Sequence, residues 1–210
     1  MTEHGQLAEP FSRDAVVTTL AAAFLDDPLM GWVFVDAAAR PGQLVHWWAW
    51  MLDHLPGHAE VLATADDRSA ALWYGPDPVD EDAQRDFLAM LSGLLGEAQA
   101  FEKLRGLSVI PAAHPHEVRH WYLAAVGTRP ESQGQASAAR VLVPVLARAD
   151  AAGIGTYLES SNERNLSFYE RLGFVATGRI QVPGGPALIP MWRAPAPPRA
   201  DRDGASRSEP

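Results

Sequence analysis

The sequence predicts an α/β domain built on a central, mixed, twisted β-sheet flanked by helices. From about residue 120 the apolar patterning reads strand, helix, strand, helix, hairpin. A strand–helix–strand unit implies parallel pairing through a right-handed crossover. Helices and a hairpin precede that unit, so the sheet is expected to be mixed rather than purely parallel. A length of 210 residues, 47% apolar and 20% charged, allows one sizeable core and not two.

The elements follow in order. "SRDAVVTTLAAAFLDDP" reads as a helix. Ser12 or Asp14 can cap it, Val16, Leu20 and Phe24 recur at helical spacing, and Pro28 is expected to end it. "AARPGQLVHWWAWMLDHLPG" is a second helical stretch that stops at Pro56 and Gly57. "HAEVLATADDRSAALWYGPD" reads as two strands around the polar turn Ala65, Asp66, Asp67 and Arg68. "DEDAQRDFLAMLSGLLGEAQAFEKL" returns to helical periodicity, with acidic residues suited to the positive end of the helix dipole.

The clearest strand is "RHWYLAAVGTRP". The helix "SQGQASAARVLVPVLARADAAG" carries Pro144 inside it and closes at Gly153. "IGTYLESS" is a short strand, "NERNLSFYERLG" a short helix, and "FVATGRIQVPGGPALIPMWR" a hairpin turning at Pro183, Gly184 and Gly185. Residues 1–194 are expected to form the domain. Residues 195–210, rich in Pro, Ala, Arg and Asp, are expected to be a disordered tail.

Composition excludes several functions. Cysteine is absent, which removes disulfides, thiolate metal sites and a cysteine nucleophile, and fits a cytoplasmic protein. A formal net charge of −9 argues against broad contact with nucleic acid and is compatible with a cationic small-molecule partner or simply a solvated acidic surface. No uninterrupted apolar run of about 18 residues suggests a membrane span, and "MTEHGQLAEP" does not read as a secretory signal.

The loop at "TRPESQGQASAARVL" lies between a strand and a helix. The first N–H groups of such a helix are unpaired and sit at the positive end of its dipole, and small residues let an anion approach them. Gln133, Gly134, Gln135, Ala136, Ser137 and Ala138 supply that loop. Neither the Rossmann nor the Walker glycine pattern is present. Taken alone, the stretch reads more readily as a plain helix start with small residues for packing than as a phosphate site.

Read together with "TYLESSNERNLSFYERLGF", the loop resembles the GNAT acetyltransferase superfamily. Gln133, Gly134, Gln135, Ala136, Ser137 and Ala138 fall on its pyrophosphate loop. Asn162, Phe168, Tyr169, Gly173 and Phe174 fall on its last block, with Asn165 where alanine is common. "TLAAAF", "WYLAAVG", "FYERLGF" and "VPGGPALIPMWR" further resemble the puromycin N-acetyltransferase-like branch. One departure is Ala136 in place of the loop's central glycine. An alanine at φ > 0 costs about 1 kcal/mol or more, whereas a helical conformation tolerates it. Because the loop leads into a helix, the helical conformation is expected.

The resemblance implies a GNAT-like domain in which acetyl-CoA serves as cosubstrate and an amine as acceptor. An antibiotic or another natural product would fit that branch. The strand around Val126 and Thr128 would hold the pantetheine arm through its backbone. Tyr169 is the candidate acid for the leaving thiolate, Asn165 shares its helix face, and Asn162 belongs to the same cofactor-binding block. Glu159 is the candidate base, with an ion pair or a cap as its bland alternative. His120 is a second candidate base or a structural residue. His114 and His116 suggest a metal only weakly, since further clustered ligands are lacking. Asp27, Trp32, Trp73 and Tyr74 are candidates for binding the acceptor, with Asp26 a further acidic neighbour. Trp47, Trp48 and Trp50 could line a cleft and stack on a flat or cationic substrate, with core packing or a homodimer contact expected for at least two of them. A non-catalytic small-molecule-binding protein on the same fold is the rival reading, which the Ala136 departure keeps open.

Overall fold

The structure is a computed structural model and describes residues 11–76 and 83–197. The acidic start of the third helical stretch, residues 80–82, lies outside that range. So does the tail from residue 198 onward. Among the described residues no helix is long and apolar enough to cross a membrane.

The N-terminal third forms one helical layer and the first hairpin. Helix α1 (Arg13–Ala23) starts at Ser12, whose hydroxyl accepts the Ala15 N–H. It stops before Pro28, in contrast to the expectation that Pro28 terminates it. Pro28 instead opens α2 (Pro28–Val33), capped by Asp27. Proline suits a first turn, where its missing N–H has no partner to lose. Helix α3 (Arg40–Asp53) buries Leu44, Trp47 and Trp48, so two of the three clustered tryptophans are core. Trp50 stacks on His54. Strands β1 (Ala59–Ala63) and β2 (Ser69–Tyr74) form the expected antiparallel hairpin.

The third helical stretch is two helices and a short extension: α4 (Ala83–Leu95), α5 (Glu97–Leu107) and α6 (Val109–Ala113). Gly96 separates the first two at φ 79°, a conformation open to glycine at little steric cost.

Strand β3 (His120–Thr128) lies antiparallel to β2. Leu72 pairs with Ala125 and Trp73 with Leu123, so Ala124 is an extra residue that bulges and bends β3. After a 3-10 turn (Pro130–Ser132) comes α7 (Ser137–Ala152), then β4 (Gly155–Ser160). Strands β3 and β4 are parallel but pair only at His120–Gly155, Trp121–Thr156 and Tyr122–Tyr157. Beyond that point they part. A second 3-10 turn (Glu163–Asn165) leads into α8 (Leu166–Arg171). The hairpin then comprises β5 (Val175–Ala176), β6 (Ile180–Gln181) and β7 (Ala187–Arg193). The sheet order is β1-β2-β3-β4-β7-β5, with β6 on β7.

Two main cores sandwich this sheet. One joins Leu20, Val33, Phe34, Leu44, Trp47 and Trp48 to Leu72, so α1 to α3 cover one face. The other joins Val141, Leu142, Val145 and Tyr169 to Trp73, Leu123, Leu158 and Met191, so α7 and α8 cover the opposite face. Burying each such large apolar side chain is worth roughly 1.5–3 kcal/mol. Helix α1 touches β3 closely, because Gly127 faces Ala23 and Leu20.

Candidate active site

Where β3 and β4 part, a cleft of about 790 Å³ opens. Its walls are residues 123–128 of β3, residues 158–162 at and just after the end of β4, the end of α1, the loop before α7, and Asn165, Phe168 and Tyr169. Residues of β3 beyond Tyr122 pair with β2 alone. Their other backbone edge is therefore turned toward the cleft, where an amide-rich chain can add as a strand would. Val126 and Thr128 lie on this wall. The Thr128 hydroxyl is engaged with Ser69 at 2.7 Å, and its carbonyl accepts from the Gln133 side chain at 3.4 Å.

At the cleft's far end Gly134 has φ 77° and Ala136 has φ 57°, ψ 14°. The expectation of a helical Ala136 is thus overturned. The residue is left-handed, and it keeps the turn conformation a glycine would take more easily. Helix α7 begins at Ser137 with no side-chain cap. The N–H groups of its first turn, at Ser137, Ala138 and Ala139, face the cleft side of the loop at the positive end of a four-turn dipole. An anion fits there. Arg68, from the β1–β2 turn, reaches the same loop and donates to Gln135 Oε1 at 3.2 Å. No short-range pattern in the sequence points to that arginine.

On the opposite wall, Asn162 Oδ1 accepts the Arg164 N–H, and Ser160 Oγ donates to the Asn162 carbonyl at 2.9 Å. Asn162 thereby fixes the turn that aims α8. Asn165 is exposed at the start of α8, and Tyr169 is buried one turn later. Burial raises the Tyr169 phenol well above its ordinary pKa, and the charge of Asp27 raises it further. Tyr169 therefore stays protonated at neutral pH, as a proton donor must.

Asp27 also lines the cleft, with Oδ1 capping α2 through the Leu29 and Met30 N–H groups at 2.9 and 3.1 Å. Its other oxygen accepts from Ser161 Oγ. Burial pushes its pKa up, opposed by those hydrogen bonds. Its carboxylate is thus spent on structure.

The other acceptor candidates lie elsewhere. Trp73 is fully buried in the core and donates to the Val141 carbonyl. Trp32 packs under Lys103 Nζ at 4.3 Å and against the strand β6 region, away from the cleft wall. Tyr74 meets Tyr122 edge-on at 5.7 Å, and burial pushes its pKa up to about 12.

Glu159 approaches the gap from the other side of the sheet. Strand alternation puts Leu158 among the α7–α8 core with Tyr169, and Tyr157 and Glu159 on the reverse face. There Glu159 is 5% exposed, and its Oε1 has no hydrogen-bond partner among the described residues. His114 Nδ1 lies 3.7 Å from that oxygen. Tyr122, Tyr157 and His120 surround His114 with ring contacts of 4.8, 5.1 and 4.9 Å. Burial, and then the Glu159 charge, raise both tyrosines above their usual range.

Comparison with known proteins bears on this geometry. The model of the acetyltransferase (GNAT) domain matches residues 101–194. Over those residues the chain is similar to that family. The stretch holds the parted strands, the α7 loop and α8, the parts from which the cleft is built. An uncharacterized N-acetyltransferase of Schizosaccharomyces pombe is 24% identical, over 82% of this chain and 74% of that protein. Among solved structures, a Corynebacterium glutamicum protein described as histone acetyltransferase HPA2 and related acetyltransferase superposes with a TM-score of 0.64. It is 24% identical and covers 94% of this chain and 99% of its own. Arylalkylamine N-acetyltransferase 2 of Aedes aegypti superposes at 0.57, with 13% identity over 91% of this chain and 99% of its own. These likenesses show that the fold shared with those two structures takes in the N-terminal helices and hairpin as well as residues 101–194.

Proposed function

We propose that the protein transfers an acetyl group from acetyl-CoA to the amine of a small molecule, an antibiotic or another natural product. The observation that carries this reading is the pairing of opposite proton tasks across one gap. Tyr169, held protonated, faces the gap from the α7–α8 side, and Glu159 faces it from the reverse side.

The uncapped α7 N-terminus and the left-handed loop would receive the pyrophosphate, and the free edge of β3 the pantetheine arm. Glu159 takes a proton from the attacking amine as the new C–N bond forms. Tyr169 gives a proton to the sulfur as the C–S bond breaks. The resemblance to the puromycin N-acetyltransferase-like branch supports a small amine as acceptor, and the acidic net charge suits a cationic one.

The test is calorimetric titration with acetyl-CoA, followed by thiol release against a panel of free amines and peptides. Micromolar binding and amine-dependent thiol release are expected. Tyr169→Phe should lower kcat by about 100-fold, in the range for a positioned acid, with little change in KM for acetyl-CoA. Absence of binding at millimolar acetyl-CoA would overturn the reading. Binding without transfer to any acceptor would favour the non-catalytic alternative.

A further inference from the structure

We propose that His114 receives the acceptor's proton from Glu159 and releases it to solvent, with His120 fixing the tautomer that makes this possible. The inference rests on the acetyl-transfer reading above and deepens it, since it assigns a route to the proton that Glu159 removes.

His120 Nδ1 lies 2.5 Å from the Val118 carbonyl, which can only accept, so Nδ1 carries the hydrogen. His120 is buried, and that burial lowers its pKa and keeps the ring neutral. Its Nε2 is then bare. The 3.0 Å contact between His120 Nε2 and His114 Nε2 needs one hydrogen, and only His114 can supply it. A neutral His114 therefore has a bare Nδ1. That bare nitrogen faces Glu159 Oε1 at 3.7 Å, the enclosed oxygen with no partner among the described residues.

Two acceptors face each other across this gap, with no hydrogen between them until a proton arrives. A proton on either atom turns that contact from repulsive to attractive and draws the two atoms together. The pair is therefore built to hold exchangeable charge. The step balances simply: the amine N–H bond breaks, an O–H bond forms on Glu159, and that proton passes to His114 Nδ1. The resulting imidazolium still donates through Nε2 to His120. The His114 side chain keeps 21% of its surface exposed, so it can return the proton to water.

The remaining groups around the ring take no proton from Glu159. Tyr122 from β3 and Tyr157 from β4 are held protonated by burial and then by the charge and hydrogen bonding of Glu159, so they can donate to that carboxylate but not accept its proton. His116, on the same segment, directs Nε2 to the Pro111 carbonyl at 2.7 Å, and Trp192 from β7 packs on His120 rather than on His114. His114 is a positioning residue for Glu159, because it meets the reacting atoms only through that carboxylate.

Two measurements on the full chain test this. Nitrogen NMR of the histidine rings near neutral pH should show hydrogen on His120 Nδ1 and on His114 Nε2. Hydrogen on His114 Nδ1 in the neutral ring would overturn the proposal, whatever the protein's activity. The second is the pH profile of acetyl transfer by His114→Gln. A loss of roughly 10- to 100-fold in kcat, toward the low end for a positioned base, is expected. KM for acetyl-CoA should hold, the profile should change shape, and free imidazole should restore rate. An unchanged profile, or a loss that imidazole does not rescue, would sink the relay while leaving acetyl transfer standing. Wild-type protein that transfers to no amine would overturn the parent reading and the relay with it.

Discussion

Ala136 holds a conformation that its side chain resists. At φ 57° its Cβ crowds the backbone, and a glycine would not. Ala136→Gly should therefore stabilise the fold by about 1 kcal/mol, less whatever freedom glycine adds to the unfolded chain. For a domain of this size that raises the melting temperature by roughly 2–4 °C. Thermal unfolding with and without acetyl-CoA checks it, and a lower melting temperature for the glycine variant would show that the left-handed loop is not strained. The sequence shows the substitution but not the angle, because φ at a helix entrance depends on how the turn before it is tied down. Here the Thr128 carbonyl is tied to Gln133, and Arg68 to Gln135, both beyond the reach of periodicity. The Asn165–Tyr169 spacing was legible for the opposite reason, since one helical turn fixes it locally. His114 beside Glu159 is a tertiary contact, and no local pattern carries it.

At the level of elements, legibility follows where the restraining force comes from. The β1–β2 hairpin, β3, α7, β4 and the final hairpin were readable because strand alternation, turn residues and caps are local. Pro28 misled because proline both ends helices and begins them, and the choice here was made by Asp27 bonding to Leu29 and Met30. The bulge at Ala124 was silent in the sequence, yet it bends β3 just where the strands part. The contact of α1 with β3 depends on a missing side chain. A Cβ on Gly127 would lie 2.7 Å from the Ala23 Cβ and 3.1 Å from Leu20 Cδ2. Gly127→Val should cost about 1–3 kcal/mol through overpacking. It should also weaken acetyl-CoA binding, because Ala22, Ala23 and Phe24 form part of the cleft wall. Chemical denaturation and calorimetry measure the two effects. Full stability in the valine variant would mean that α1 can shift without strain.

Across the whole molecule, one charged contact ties together the parts that carry the site. Asp150, near the end of α7, accepts from both Arg193 terminal nitrogens, at 2.6 and 2.7 Å, and from the Ala196 N–H at 2.7 Å. Arg193 Nε also donates to the Leu172 carbonyl after α8, at 2.8 Å. One guanidinium at the end of β7 thus fastens α7, whose start lines the cleft, to α8, which carries Tyr169. The hydrogen bonds from Arg193 hold the Asp150 carboxyl below its ordinary pKa. A carboxyl depressed by folding adds stability above its unfolded pKa of about 3.9, and that stability is lost as pH falls through the folded value. Asp150→Asn should therefore lose about 1–2 kcal/mol at pH 7, the scale of a partly buried bidentate pair. Its melting temperature should fall by roughly 2–8 °C there. As the pH drops below 4 the wild type loses the same charge, so the two proteins should converge. Thermal unfolding of both from pH 7 downward reads this directly. A gap that stays constant into acid would assign the loss to packing around residue 150 rather than to its charge, and Arg193 would then act as a spacer between the helices.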